Sequence, residues 1–438
     1  MRQIKLFIIV CMCFVMSSIQ AQNNSQVIEV ESSSTFAVKL GKTAPVRNLV
    51  KQNGVDLAKK DAYKKRFKAK TIPNFNGRGI PANSIKGAQP LGMDPVRQAE
   101  VKSASNFIVE PFINVDGMQT GAAGNPSPPD PDGAIGKDYY VQMVNATAFQ
   151  VFDKTDGSDV SGIISMNTIW AGMGVTSLGD PIVFFDQEHE RWIITEFNGS
   201  GNALLIAVSE TSDPLGSYFT YEFSTPQFPD YPKYSLWTNA VVVTSNEGGS
   251  GQEFYVIDRA ALIAGEDNVN IQRHVLPTIP GSPGFFVATP VDWIGSATPP
   301  VDAKPMIMRM NDDAWGDSPV DLIEIFEIDI DWSDADNTVV TQTDVETAAY
   351  DSNPCSVSGP GFSCIPQLNG GGIDGLQEVI MNQVKYRNFG SYEAIVLCFI
   401  VDYTGGDNTA GIRWMELRRS GGADWTVYQE GTYAPDDG

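Results

Sequence analysis

PSPPDPDGAIGKDYYVQMVNATAFQVFDKTDG, residues 126–157, sets the reading of the whole chain. A Pro/Asp/Gly turn feeds an aromatic and β-branched run at 139–145, a short break follows, and a second run at 149–153 closes on Asp156-Gly157. Pro presets φ for a turn, Asp and Gly tolerate a tight reversal, and Tyr, Val and Phe pack well on a pleated surface. The unit is a hairpin. It specifies architecture rather than chemistry.

Weaker echoes of it fill the rest of the chain. Strands are expected at 182–186, 191–197, 203–210, 218–223, 240–245, 254–258, 305–310, 322–332, 379–385, 392–402, 412–418 and 425–429, with one short helix at 259–264. Many short strands, Gly/Pro/Asp punctuation and almost no helix define an all-β sandwich, barrel or propeller. Roughly 330 residues is long for one sandwich, and blades of about 40 to 50 residues divide it into six or seven. The expected fold is a β-propeller of six or seven blades, incomplete if the closing blade is missing.

The segment before it is different. Arg2 and Lys5 precede the apolar run Leu6 to Met16, which ends at Ser18-Ile19-Gln20-Ala21. That pattern is a signal peptide over 1–21, too short for a membrane anchor, so a secreted or cell-surface location is expected. Residues 22–105 hold fifteen Lys/Arg against six Asp/Glu, whereas 106–438 hold thirteen against forty-seven. The division gives a basic, mostly irregular leader at 22–105, with one helix expected at 55–70, and a propeller domain at 106–438. Opposite charges make the leader a pro-segment that docks on the domain, or simply a linker. An acidic body excludes nucleic acid as a partner, since a binder must neutralise phosphates. No later run spans a membrane, and a monomer is expected.

Cysteine use agrees with export. Cys355 and Cys364 bracket a Ser/Gly/Pro loop and are read as a disulfide, while Cys398 sits in an apolar strand. Asp130 and Asp132 lie in one of three Pro/Asp turns, with Gly179-Asp180-Pro181 and Pro229-Asp230-Tyr231-Pro232. Turn building accounts for these aspartates; a structural Ca2+ at Asp130 and Asp132 is the alternative, and no other cofactor is expected. With only His189 and His274 in the chain, a histidine triad or multi-histidine metal centre is excluded. The run Asp329 to Asp336 lacks the central Gly and distant Glu of a calcium loop; its first half alternates, with Phe326, Ile328 and Ile330 on one face and Glu327, Asp329 and Asp331 on the other, and reads as a half-exposed strand.

The blocks at 130–145, 179–197, 209–223, 231–247, 386–396 and 411–437 resemble a family of exported bacterial β-propellers, many from Bacteroidota, similar in shape to sialidases. The resemblance covers about 125–438. It implies a propeller and export, but no established reaction. Tyr392 and the Leu397-Cys398-Phe399 stretch stand where the family tends to carry histidines. The family pattern also continues past the GTYAPDD block, so a truncated chain is expected.

One constellation remains for chemistry: Arg309, Tyr386, Arg387, Glu393, Arg413, Trp414 and Glu416. Innermost propeller strands bring distant residues to one mouth, where arginines with a Tyr/Glu pair would grip a carboxylated sugar. Pairing of these arginines with the acidic body is the structural alternative. The expected function is a secreted binding module for an extracellular glycan or surface protein. A sialidase-like hydrolase or lyase acting on acidic polysaccharide is the alternative.

Overall fold

The structure, a computed structural model, describes residues 25–53, 94–98, 111–119, 129–145, 147–247, 252–279, 287–355, 363–366, 372–405 and 409–434. The expected signal peptide and the helix at 55–70 lie outside them. The N-terminal part gives β1 (Ser25–Ile28), β2 (Glu31–Lys42), α1 (Val46–Asn53) and β3 (Arg97–Gln98).

Antiparallel four-stranded units follow in chain order. Unit 1 is β4 (Asp132–Ile135), β5 (Tyr139–Val144), β6 (Ala148–Asp153) and β7 (Ile164–Ser165); unit 2 is β8 (Ile182–Asp186), β9 (Arg191–Phe197), β10 (Ala203–Ser209) and β11 (Tyr218–Ser224). Unit 3 is β12 (Asp230–Leu236), β13 (Ala240–Asn246), β14 (Gln252–Asp258) and β15 (Asn268–Leu276), with α2 (Arg259–Ala264) between its last two strands. Unit 4 is β16 (Thr289–Trp293), β17 (Met306–Asn311), β18 (Leu322–Asp329) and β19 (Val339–Glu346). A short pair, β20 (Ser363–Ile365) and β21 (Ile373–Asp374), precedes unit 5: β22 (Val384–Asn388), β23 (Glu393–Val401), β24 (Gly411–Arg419) and β25 (Thr426–Tyr433).

Burial shows how the units stack. Along β10, Leu204, Ile206 and Val208 belong to the cluster shared with Val241, Val243 and Tyr255 of unit 3, whereas Leu205 and Ala207 join Val141, Met143 and Phe149 of unit 1. The same alternation recurs in β13, where Val241 and Val243 face unit 2 while Ala240 and Val242 face unit 4. In β17, Met306, Met308 and Met310 pack on Ile395, Leu397 and Met415 of unit 5. A sheet buried on both faces loses the polar alternation of a half-exposed strand and reads as a continuous apolar run. Core that lies between successive radial sheets is the packing of a β-propeller. Unit 4 and unit 5 are further joined by a parallel ladder between their first strands, Val291 opposite Val384 through Trp293 opposite Tyr386.

Two expectations change. Among the described residues there are five four-stranded units rather than six or seven. First strands begin at 132, 182, 230, 289 and 384, so a uniform period overcounts: the last interval holds a long connection with β20 and β21, and the strand expected at 379–385 begins only at Val384. The leader is not irregular over its described part. β1 pairs with β19 at the edge of unit 4; β2 then pairs with β15 from Glu31 to Val38 and with β11 from Val38 to Lys42, closing the edges of units 3 and 2. α1 places Val46 in the core between units 1 and 2, and β3 adds to β25. Open strand edges demand hydrogen-bond partners, which a Ser/Thr-rich segment supplies without needing a core of its own. Its basic side chains meet the acidic body directly: Lys39 binds Asp267 at 3.2 Å, Lys42 binds Glu210 at 2.6 Å, and Arg47 pairs with Asp213.

Candidate functional site in the axial cavity

The first strands of all five units line one cavity of about 570 Å3. β4 gives Asp132 to Ile135, β8 gives Val183 to Asp186, β12 gives Leu236, β16 gives Asp292 and Trp293, and β22 gives Lys385. The turns that follow β8 and β16 add Gln187, Glu188 and the Ile294 to Ser296 stretch. The lining thus runs from the leading residues of β4 and β22 to the turns that follow β8 and β16.

Charge is organised on its wall. Asp132 accepts the Val183 N–H at 2.7 Å, and burial pushes its carboxyl above the usual range. Lys385, opposite Asp292 in the parallel ladder, holds that carboxylate at 2.9 Å and also bonds Gln383. Asp186 is fully buried: its oxygens take Arg259 Nη2 at 2.5 Å and Nε at 2.9 Å, the Glu188 and His189 N–H groups, and His189 Nδ1 at 3.1 Å. Burial alone would raise this carboxyl, but the Arg259 hydrogen bonds and charge outweigh it and hold Asp186 below the usual range. Arg259 also reaches Glu188 at 2.9 Å and the Trp237 and Thr238 carbonyls, tying unit 2 to unit 3. Phe184, Phe185 and Trp293 supply aromatic surface.

The leading ends of the first strands are built differently. Asp130, Asp180 and Tyr231 have φ of 35°, 49° and 52°, left-handed values that mark the Pro/Asp turns before β4 and β8 and at the start of β12. Asn145 Nδ2 donates to Asp130 at 2.8 Å, and its Oδ1 accepts the Asp180 N–H at 3.4 Å. Lys233 lies close enough to feel Asp180, Asp130, Asp230 and Asp132; burial outweighs their attraction and lowers its ammonium to about 8. It sits 3.5 Å from the Tyr231 ring centroid. This end is a cross-linked plug.

The seven residues expected to form one mouth are dispersed. Arg309 is buried on β17, paired with Glu324 and bonded to the Pro277 carbonyl at 2.6 Å. Tyr386 donates to Glu393 at 2.6 Å, and Glu393 is clamped by Arg419 at 3.0 Å. Arg413, fully buried on β24, binds Asp94 at 2.7 Å and Glu430 at 3.1 Å. Trp414 reaches Gln98, and Glu416 pairs with Arg418 at 2.6 Å. Only Arg387, on β22, stands beside the cavity. Second and third strands of a propeller sheet lie away from the axis, so their charged groups found partners within and between units; position in the chain does not reveal that distance.

Asp132 lies on the cavity wall and Asp130 in the turn before it, both near Lys233. Among the described residues, the one group of three carboxylates with ligand atoms within 4.8 Å is Asp312, Asp313 and Asp321. These have the hard-oxygen chemistry of a cation ligand set such as Ca2+ prefers. They also work within the chain: Asp312 accepts from Ala314 N and Ser352 N at 2.9 Å, and Asp321 accepts from Asp313 N at 2.8 Å and Tyr350 N at 2.7 Å. Burial and neighbouring Asp312 and Asp313 push Asp321 up to about 7. Cys355 is buried, the Cys364 side chain lies outside the described residues, and Cys398 is a free, half-buried thiol. His274 is buried and held near 4 by burial.

No protein-family model matches the chain, and no curated protein matches it. Solved structures give loose likenesses. The WD40 domain of SCAP from fission yeast aligns over 68% of this chain at 7% identity and a TM-score of 0.32, and the chain spans 61% of that protein's length. A subtype N10 neuraminidase-like protein of A/little yellow-shouldered bat/Guatemala/060/2010 shows 10% identity over 69% of this chain and 82% of its own, with a TM-score of 0.34. An α-L-arabinofuranosidase from Clostridium thermocellum shows 13% identity over 70% and 94%, with a TM-score of 0.29. At these levels no property of the site follows from them, and its chemistry rests on the residues above.

Proposed function

We propose that the axial cavity binds the end of a neutral glycan, and that the chain is an exported glycan-binding propeller. One observation carries the reading: five first strands converge on a single cavity in which carboxylates and aromatic rings share the wall. Its volume falls in the range of about 300–1,000 Å3 common to small-molecule sites. Carboxylates accept hydrogen bonds from hydroxyls, and aromatic rings cover the apolar faces of sugar rings, so a polyhydroxylated ligand satisfies both.

Charge selects further. Asp132, Asp186, Glu188 and Asp292 face Arg259 and Lys385, and both cations already bind carboxylates of the same wall. An acid group placed among them would meet more repulsion than attraction. A sialic acid or uronate inside the cavity is therefore disfavoured, and a neutral sugar ring is favoured. Titration calorimetry with a neutral gluco-oligosaccharide and a xylo-oligosaccharide tests this: saturable binding that Trp293→Ala weakens about tenfold supports the reading, and no binding of either removes it.

A second reading has one observation behind it. Asp132 retains its proton above the ordinary carboxyl range, as a general acid in glycoside hydrolysis must. Release of reducing ends by the native chain and not by Asp132→Asn would establish it. Export belongs to the proposal through the pattern at 1–21, and a secreted protein beginning at Gln22 is the expected product of N-terminal sequencing.

A further inference from the structure

The rim of the cavity on unit 5 carries a guanidinium set apart from the charge pairing that engages the other arginines of the expected mouth. Arg387 is exposed on β22, and among the described residues no carboxylate lies within ion-pair distance of it. Arg191 and Lys154 also have no carboxylate within ion-pair distance, but they donate to main-chain carbonyls instead. Arg309, Arg413, Arg418 and Arg419 are all paired.

Arg387 nevertheless rests against an aromatic stack. Its guanidinium carbon lies 5.0 Å from the Phe389 ring centroid, and Phe389 stacks on Tyr392 at 4.8 Å with 13° between the rings. Arg418 covers Tyr392 at 4.3 Å and so anchors the far side of the stack. Across the rim, Gly295 belongs to the cavity wall, has φ of +88°, and would place an added Cβ 3.3 Å from Arg387 Nε. The glycine thus leaves room for the arginine stem to approach the wall. Asn388 Nδ2 donates to the Thr298 carbonyl at 2.6 Å and holds the turns of units 4 and 5 together around it. A planar guanidinium restrained by stacking loses little freedom when it binds a carboxylate or sulfate through paired N–H groups.

We propose that Arg387 is an anion subsite at the cavity rim, reading the acid group of the sugar unit that follows the neutral one inside. This rests on the glycan reading of the cavity and deepens it: the ligand is a glycan with a neutral end and an acidic neighbouring unit. The acid group is an oxyanion, carboxylate or sulfate, and the two are separated by the probes. The full chain, Arg387→Ala and Arg387→Lys are titrated with three oligosaccharides of equal length: neutral, with a hexuronate next to the end, and with a sulfated hexose next to the end. The native protein should prefer one acidic probe to the neutral one by about tenfold, the factor expected of charged hydrogen bonds. Arg387→Ala should erase that preference, and Arg387→Lys should keep part of it, because charge remains but the paired N–H geometry does not. Rising salt should narrow the native preference in the same direction. Whichever acidic probe is preferred names the group. Equal affinity of the native protein for all three probes, or a preference unchanged in Arg387→Ala, overturns the subsite while leaving the cavity reading intact. Failure of the native protein to bind any probe overturns both.

Discussion

The periphery and the axis of this propeller use charge in opposite ways. At the periphery, Lys39, Lys42 and Arg47 of the N-terminal segment reach Asp267, Glu210 and Asp213, and the strand that carries two of them completes the open edges of units 2 and 3. Every one of these groups is spent on holding the fold. At the axis, Asp132, Glu188 and Asp292 line a space large enough for a ligand, and Arg387 waits at its rim. The lesson is that the described part of the basic segment and the acidic body form one folded unit, while the groups available for recognition lie along the first strands and in the turns beside them.

Removing the strap should have the largest effect. Deletion of residues 25–53 opens the edges of three units and uncovers core around Val46. The expected result is aggregation on expression, or a melting temperature lower by about 10 °C or more. Unchanged melting would dissolve the contrast, because the segment would then be a passive linker.

Next comes Arg259→Ala, which leaves Asp186 buried without its main counter-charge. A loss of ~3–5 kcal/mol in chemical denaturation is expected. Trp293→Ala should behave in the opposite manner, weakening glycan binding by about tenfold with little change in melting, since the ring lines the cavity and is only half-buried. A matched loss of stability in Trp293→Ala would make the axis as structural as the edge.

The smallest effect is a pH dependence. Glu196 is fully buried beneath Trp170, and burial raises its carboxyl to about 8. Its folded pKa lies above the ordinary value of 4.5, so the folded chain holds the extra proton: the contribution is complete below about pH 4.5 and is lost as pH rises through 8. Glu196→Gln should therefore match the native protein at pH 5 and melt a few degrees higher at pH 8.5. Parallel melting curves at both pH values would contradict the buried proton.

Much of this was legible in the sequence. Strands β10, β13 and β14 and the Asp258-capped α2 were expected near their observed positions, and so was β18, although it ends at Asp329 and the stretch expected to continue it turns instead. Strands β12, β15 and β19 were harder. β12 carries Pro232 at a register shift next to Asp230, β15 alternates polar residues whose partner is the N-terminal strand, and β19 is rich in Thr and Asp. Their strand character comes from pairing, which no local pattern records. The Pro/Asp turns of 130, 180 and 230 mark the starts of three first strands, but in the sequence turn building alone explains them, and the expected site fell on the later arginines instead. Arg259 and Trp293 escaped notice because an arginine opening a short helix and a lone tryptophan signal nothing until distant strands converge on them.

The central claim is that the axial cavity receives a neutral sugar ring. The most direct measurement is a crystal structure of the native chain grown with a neutral gluco-oligosaccharide. The predicted result places one ring between the first strands, on Trp293 and within hydrogen-bond distance of Asp132 or Asp292. A sugar bound instead along the outer edges, with the cavity filled only by water, would contradict it.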